Sequence, residues 1–442
     1  MRAAEAGANR VALPDARLLE PADVLFRISG CDPINLVRRP IGRVPFDEKN
    51  LLPVAEDRKI PDDGRDIVAL VAHGYANRKN QGKLHRLIIL GLIVLTTIEA
   101  CFLLMPHMHE NSVIFVSGHR GMVGSAFARK LEKEGHRSVL VRTRQELDLL
   151  DQRAVLDFFR AHPIERVLVA AGKVGGIRAN SLAQADFLYE NLMIGVNLIH
   201  AAAETGVKHL LYLGSSCIYP KHSPQPMPES ALLSGPLEPT NMGHAVAKIA
   251  GVKLCETYSA KYGCRFVPVM PTNLYGPGDN FDPASSHVLP ALIRRFHEAR
   301  SNRLPEVVLW GTGTPRREFL YSDDLARACL FLMNLDDASF HSLVASEEEP
   351  PIINIGSGRD QTIRELAVFI AAVVGYSGEL KFDSGKPDGT PRKLLDVSRL
   401  TSLGWRPTVG LGEGLVLSYS DFLERLGAGV ANRSRERAIG AA

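Results

Sequence analysis

The chain has 442 residues, more than one hydrophobic core usually holds, so two or three structural units are expected and a single small domain is excluded. Hydrophobic residues at 45% and charged residues at 23% are ordinary globular proportions, which excludes a wholly disordered or collagen-like chain. Lys plus Arg number 52 against 49 Asp plus Glu, a formal charge of +3, so bulk electrostatics gives no reason for nucleic-acid binding and any anionic ligand must be held by a local site.

Residues 1–86 carry turn-rich, charged stretches such as RRPIGRVPFDEKN and only short apolar runs, and read as an N-terminal extension without motif or repeat. Next comes LIILGLIVLTTIEACFLLM (87–105), long enough to cross a bilayer as a helix, with Glu99 as its only charge. Its twelve Leu, Ile, Val and Phe residues favour insertion by roughly 5 kcal/mol against about 3 kcal/mol for one ionisable group, so a transmembrane helix is expected here. Arg78, Lys79, Lys83 and Arg86 precede the run, and the positive-inside rule would keep the N-terminus cytoplasmic and send the remainder across. The cysteines (Cys31, Cys101, Cys217, Cys255, Cys264, Cys329) form no C-x-x-C pair, so neither a metal site nor a disulfide framework is expected, and a reducing, cytoplasmic compartment fits.

From Val113 onward short β-branched runs alternate with amphipathic stretches of helical length, the pattern of βαβ units around a parallel sheet. VIFV (113–116), SVLV (138–141), RVLVA (166–170), HLLYL (209–213) and FVPV (266–269) are the expected strands, and SAFARKLEKEG and FLYENLMIGVNLIHAAAETG the clearest helices. The fold class is therefore α/β: a doubly wound parallel (Rossmann) sheet over 110–275, then a smaller α/β substrate-binding unit over 276–425. Part of that second unit, about 305–340, is expected to return to the first, and 426–442 to form a flexible tail.

GHRGMVG (118–124) lies directly after the first strand and before the first helix. In that context Gly118, Gly121 and Gly124 supply a tight turn, close approach of a pyrophosphate to backbone amides, and close helix-to-sheet packing, which predicts a dinucleotide site. About twenty residues on, where an NAD enzyme places an acid for the ribose hydroxyls, stand Arg142 and Arg144. With Arg120 in the glycine loop they suit a 2′-phosphate, so the expected cofactor is NADP; the plain alternative is three solvated surface arginines.

GSSCIYP (214–220) follows the strand HLLYL and should emerge at the carboxyl edge of the sheet, where doubly wound folds bind ligands. HAVAK (244–248), PTNLYGPGDNF (271–281), SSHVLP (285–290) and WGTGTPRREFLYSDDLA (310–326) follow. On these segments the chain resembles the extended short-chain dehydrogenase/reductases, and within them the GDP-L-fucose synthase family, from about Ser112 to Leu423. The blocks GHRGMVGSA, KVGGI, LGSSCIYPK, KIAG, PTNLYGP and KPDGTPRKLLD are specific to that family. The resemblance implies epimerisation at the two carbons flanking the keto group of GDP-4-keto-6-deoxy-D-mannose, then reduction of that group by NADPH, with a homodimer as the assembly.

Each carbon beside a ketone carries an acidified hydrogen, and inverting it needs a base on one face and an acid on the other. The resemblance assigns those roles to Cys217 and His287, although a lone Cys is more often a small buried hydrophobe and a lone His a surface or core residue. For reduction the family uses a Ser-Tyr-Lys arrangement. Ser215 and Lys248 match, but His244 stands where the family has tyrosine, one helical turn before Lys248 and on the same face. Imidazole is shorter than phenol, and protonating it beside an ammonium is unfavourable, so reduction is the step this sequence alters. Neither Tyr219 nor Tyr275 offers a sequence argument for replacing it. Cofactor contacts implied by the family fall on Gly118, Arg120, Gly121, Met122, Val123, Gly124, Arg144, Leu213, Gly214, Ser215, Ser216, Lys248, Pro271, Thr272, Asn273, Leu274 and His287. Substrate contacts fall on Arg295, Trp310, Arg317 and Asp388, whose chemistry suits a diphosphate, a ring and hydroxyls; core packing for Trp310 and a turn for Asp388 are the plain readings.

Two rival readings accompany this one: a non-catalytic NADP and nucleotide-sugar binding protein, or an epimerase without the reductase step, disarmed at position 244. Membrane association rests on 87–105 alone. A cytosolic cofactor and a catalytic domain sent across a membrane conflict, which leaves three explanations: the span inserts against the charge bias, it is a buried helix, or the enzyme begins later. Met108 favours the third, because a short lead separates it from the first strand, and the first 107 residues are then expected to be dispensable.

Overall fold

The computed structural model describes residues 108–344, 350–386 and 388–439. The extension at 1–86 and the apolar run at 87–105 lie outside them, and among the described residues no helix is long and apolar enough to cross a membrane. Met108 is buried, and its backbone N–H donates to Asn334 Oδ1 at 3.1 Å.

The expected strands form β1 (Ile114–Ser117), β2 (Val139–Leu140), β3 (Arg166–Val169), β4 (His209–Leu213) and β5 (Arg265–Pro271). With β9 (Ile353–Ile355) they make one sheet in the order β2-β1-β3-β4-β5-β9, with every pairing parallel. Alternation along each strand feeds two cores, because successive side chains face opposite ways. Ile114, Val116, Leu168, Leu211 and Leu213 pack on one face under α1 (Met122–Lys133). Phe115, Val167, Val169, Leu210 and Tyr212 pack on the other, under α2 (Gln152–Ala161), α4 (Gln184–Glu204) and α5 (Met242–Tyr262), a short α3 (Ile177–Leu182) leading into α4. The chain leaves β1 toward β2 on one side and toward β3 on the other, so a crevice opens between the carboxyl ends of β1 and β3, the place where open α/β sheets take ligands.

At Pro271 the chain changes sheets. Only one residue separates β5 from β6 (Asn273–Tyr275), which pairs with β8 (Arg316–Tyr321). Around β8 lie β10 (Asp360–Thr362) and β12 (Arg392–Lys393), while β7 (Glu306–Trp310) and β11 (Glu379–Asp383) form a separate parallel pair. A third core joins these to α6 (Val288–Ser301), α9 (Ile363–Val374) and the start of α11 (Leu411–Ile439).

Two boundaries differ from the sequence expectation. β7 does not return to the first sheet, because its burial alternates residue by residue, which suits a half-covered strand and not one buried on both faces. The returning pieces are α7 (Ser322–Met333), α8 (Asp337–Val344), β9 and α10 (Ser398–Ser402), whose apolar residues join the α1-side core. The segment read as a tail is helical as far as Ile439, consistent with its Ala, Arg and Glu content and the lack of proline after Leu411.

Candidate active site

The glycine loop is built by three close approaches. Gly118 has φ +76, and a Cβ there would lie 2.7 Å from Ala171 N in the loop after β3, so the β1 and β3 loops meet backbone to backbone. A Cβ on Gly124 would lie 2.2 Å from Gly118 O, whereas one on Gly121 would find nothing nearer than 3.4 Å. Gly121 is exposed, α1 has no side-chain N-cap and no acid in its first turn, and Met122 and Val123 are half-buried, so the first amides of α1 face outward as a ready anion cradle. That cradle fits the pyrophosphate of a dinucleotide.

At the β2 end the three arginines do not act alike. Arg142 donates to Val141 O at 2.7 Å and lies 5.1 Å from the Phe158 ring centroid, so it is held by its own neighbourhood. Arg120 and Arg144 are exposed, Arg144 reaching Asp148 only at 3.9 Å. Glu146 shares this neighbourhood: a hydrogen bond from the Thr143 N–H, helped by the Arg142 and Arg120 charges, holds its carboxyl below the usual range.

The loop leaving β4 supplies the second group. Gly214 lies so close to β5 that a Cβ would be 2.3 Å from Met270 Cε. Ser215 Oγ accepts from Cys217 N at 3.2 Å and so caps a single 3-10 turn, Ser216 being buried within it. Cys217 Sγ in turn accepts from Asn241 Nδ2 at 3.2 Å, a partner sequence reading passed over because Asn241 carries no motif of its own. Just beyond Asn241, α5 presents His244 and Lys248. Lys248 is buried, its Nζ donates to Leu213 O at 2.7 Å and sits 4.9 Å from the Tyr212 ring centroid; burial lowers its pKa to about 8. His244 is buried too, with its ring stacked toward Phe187 at 6.3 Å between centroids and its Nε2 lacking any protein partner. Burial first, then the positive charge of Lys248, lowers its pKa to about 4.

The third group comes from the chain after the sheet change. Thr272 N donates to Ile355 O at 3.0 Å and Asn273 Nδ2 to Glu318 O at 2.8 Å, pinning Pro271–Leu274 across the two sheets. The KVGGI loop then holds the segment bearing His287: Gly176 N donates to Ser285 O at 2.9 Å, and a Cβ on Gly176 would sit 2.7 Å from Ser286 O. His287 stands just before α6 as its N-cap residue, and desolvation lowers its pKa. His287 and Lys393 both bear electrostatically on His244. Lys393 pairs with Arg317 across the β12–β8 ladder, a juxtaposition invisible in a linear reading because 76 residues separate them (393 − 317).

The expected substrate residues are more dispersed. Arg317 is half-buried, donates to Thr390 O at 2.6 Å, and shares its neighbourhood with Asp388. Both Asp388 oxygens are engaged by Thr312, at 3.0 Å from N and 2.7 Å from Oγ1, so in this structure Asp388 clasps two loops together. Trp310 is 68% exposed, which excludes the core reading, and Lys386 Nζ lies 5.6 Å from its ring centroid. Arg295 is exposed on α6. Tyr219 and Tyr275 are both buried away from the cleft, Tyr219 donating to Asn354 Oδ1 at 2.6 Å and Tyr275 lying in the third core.

Residues 114–356 match the model of the NAD dependent epimerase/dehydratase family. The chain is 57% identical over 313 residues to the GDP-L-fucose synthase of Escherichia coli (strain K12), covering 70% of this chain and 96% of that enzyme. Among solved structures, a GDP-6-OMe-4-keto-L-xylo-heptose reductase from C. jejuni superposes with a TM-score of 0.67 at 38% identity, over 72% of this chain and 99% of that one. A GDP-L-fucose synthetase from Naegleria fowleri bound to NADP gives 0.66 at 27% identity, over 73% and 95%.

Proposed function

This chain belongs to the NAD dependent epimerase/dehydratase family, and we propose that within it the chain is an NADPH-dependent GDP-L-fucose synthase, converting GDP-4-keto-6-deoxy-D-mannose to GDP-L-fucose. The observation that carries this reading is the convergence at one sheet edge: Lys248 anchored to Leu213 O, Cys217 held by Asn241, and the Ser285–Ser286 segment before His287 seated against the loop after β3, which also meets Gly118 of the glycine cradle. The similarity to curated GDP-L-fucose synthases runs through every one of those segments.

When bound, reduced nicotinamide supplies the hydride. The protein's share is binding and proton traffic. The α1 amides and Arg120 and Arg144 suit the phosphates of NADP, and the first amides of a helix favour such anions. Cys217 and His287, carried by different loops, are the pair for taking a proton from a carbon beside the ketone and returning one on the opposite face. Desolvation lowers the His287 pKa and so favours the neutral ring, which can take up a proton. Arg317 and Lys393 supply positive charge for a diphosphate. A cytoplasmic setting follows from the cofactor and the nucleotide sugar. A second copy of the chain is the expected partner, and exposed apolar side chains around the two long helices support it: Leu182 at 78%, Tyr189 at 60% and Val246 at 42%.

The test is turnover of GDP-4-keto-6-deoxy-D-mannose with NADPH, with product stereochemistry and deuterium incorporation beside the keto carbon read by NMR. Formation of GDP-L-fucose with solvent deuterium at both flanking carbons is expected. No incorporation and no cofactor oxidation would overturn the reading.

A further inference from the structure

The proposed reduction must deliver a proton to the carbonyl oxygen, and the residue at the tyrosine position is poorly suited to give one. His244 is enclosed by protein, its Nε2 meets no acceptor, and the charged groups facing it are all cationic or neutral: Lys248 on its own helix, Lys393 from β12, and His287 from the loop before α6. Behind Phe187, against which it stacks, Lys173 lies 5.8 Å from that ring centroid, but it is paired with Glu190 at 2.5 Å and lies 3.9 Å from Asp186, so this side of the ring offers His244 no unpaired charge of either sign. No carboxylate is among the groups acting on it to stabilise an imidazolium. Its pKa of about 4 leaves it neutral at physiological pH.

Two other groups at the same edge hold transferable protons. Lys248 carries three N–H groups and spends one on Leu213 O. Ser215, two residues beyond Leu213 and half-buried, uses its oxygen to accept from Cys217 N, which leaves its O–H free to donate. We propose that in this protein Ser215 hands the proton to the carbonyl oxygen and Lys248 is the source that refills it, His244 serving as a neutral positioning residue. This rests on the function proposed above. The carbonyl carbon takes the hydride as a new C–H bond, and the C=O π pair takes the Ser215 hydroxyl proton as a new O–H bond. The serine oxygen recovers a proton from Lys248 Nζ through an intervening water, and solvent reprotonates the amine. The ionisation that governs reduction therefore belongs to a buried lysine, whose burial brings its pKa down to about 8.

The experiment combines single-turnover NADPH oxidation across pH with NMR titration of the ligand-free protein labelled in lysine and histidine. Reduction is expected to stay level from about pH 5 to 7 and fall above about pH 8, with Lys248 titrating near that value and His244 neutral down to about pH 5. His244→Gln, which cannot be protonated, should keep reduction within about tenfold, Ser215→Ala should lose about 100-fold or more, and Ser215→Thr should restore most of it. A loss of about 100-fold in His244→Gln, a rate that declines between about pH 4 and 6, or a Lys248 that titrates above about pH 10 would overturn the proposal. Wild-type protein that exchanges deuterium but never oxidises NADPH overturns the proposal and leaves the epimerase half standing. Protein that does neither overturns the functional reading and the proposal together.

Discussion

Gly124→Ala tests the cofactor cradle most directly. The added methyl would lie 2.2 Å from Gly118 O, 2.6 Å from Gly118 C and 2.9 Å from His119 Cα, all backbone atoms that cannot rotate aside. The first of these is more than 1 Å inside the ~3.5 Å nonbonded optimum, so α1 must move away from the loop. Overpacking of this kind costs about 1–3 kcal/mol. The same shift misaligns amides that would meet the pyrophosphate, and a hydrogen bond to a charged group is worth about 1.5–3 kcal/mol, so the Kd for NADPH should rise roughly 10- to 150-fold. Gly121→Ala separates the two effects. With no neighbour inside 3.4 Å its stability cost is only that of an inferior N-cap, about 1 kcal/mol at most, yet its methyl would stand where the phosphates approach. Fluorescence titration with NADPH and thermal unfolding of the ligand-free proteins supply both numbers. A Gly124→Ala protein with the wild-type melting temperature and an affinity within twofold would refute the argument.

Arg144→Ala should narrow the preference for NADPH over NADH by roughly tenfold or more, and equal Michaelis constants for both cofactors in the unmutated protein would count against the 2′-phosphate reading. Cys217→Ser should suppress solvent deuterium exchange beside the keto group, since a serine hydroxyl is a far weaker base than a thiolate, and His287→Asn should impair epimerisation while leaving NADPH affinity nearly unchanged. Undiminished exchange in both would remove the pair from the chemistry. His244 has a folded pKa of about 4, below its unfolded value of about 6.5, so its contribution to stability is present above about pH 6.5 and is lost as pH falls toward 4, on the order of 3 kcal/mol in full. Urea midpoints at pH 7 and 4.5 should therefore differ less in His244→Gln than in wild type, and equal differences would contradict the assignment. A chain starting at Met108, whose side chain and amide are already tied into the folded unit, should fold and bind NADPH as the full chain does; aggregation or lost binding would show that earlier residues are needed.

The sheet was legible because its strands are short apolar runs, mostly buried, so VIFV, RVLVA and HLLYL stand out against the helices between them. The glycine loop was legible for a related reason: its roles are backbone constraints, and Gly118 and Gly124 each fill a place where a Cβ would strike backbone. What could not be read was anything set by long-range loop contacts. Asn241 beneath Cys217, Thr312 on Asp388, and the Lys393–Arg317 pairing join segments 24, 76 and 76 residues apart, and nothing in local periodicity reports them. Arg142 is engaged by the Val141 carbonyl and the Phe158 ring, a local preference the sequence pattern does not rank.

The replacement at position 244 is confined by the way the cleft is assembled. The proposed epimerising pair comes from loops, Cys217 fixed by Asn241 and the segment before His287 fixed through the KVGGI backbone, and neither support passes through the His244 side chain. Lys248 is held by Leu213 O, and α5 is seated on α4 by Gly243, where a Cβ would lie 2.5 Å from Gln184 O, so the helix keeps its position whichever ring precedes the lysine. In the proposed mechanism, exchanging phenol for imidazole therefore alters proton supply to the keto oxygen without moving Cys217 or His287. A cleft built this way lets the two halves of the reaction diverge independently. It also makes His244→Tyr informative: with the surrounding backbone unchanged, a phenol at this position should raise the reduction rate by about 10- to 1,000-fold if proton donation limits it, while deuterium exchange stays at its wild-type rate. A variant whose exchange rate changed in step with reduction would show that the two halves share position 244 after all.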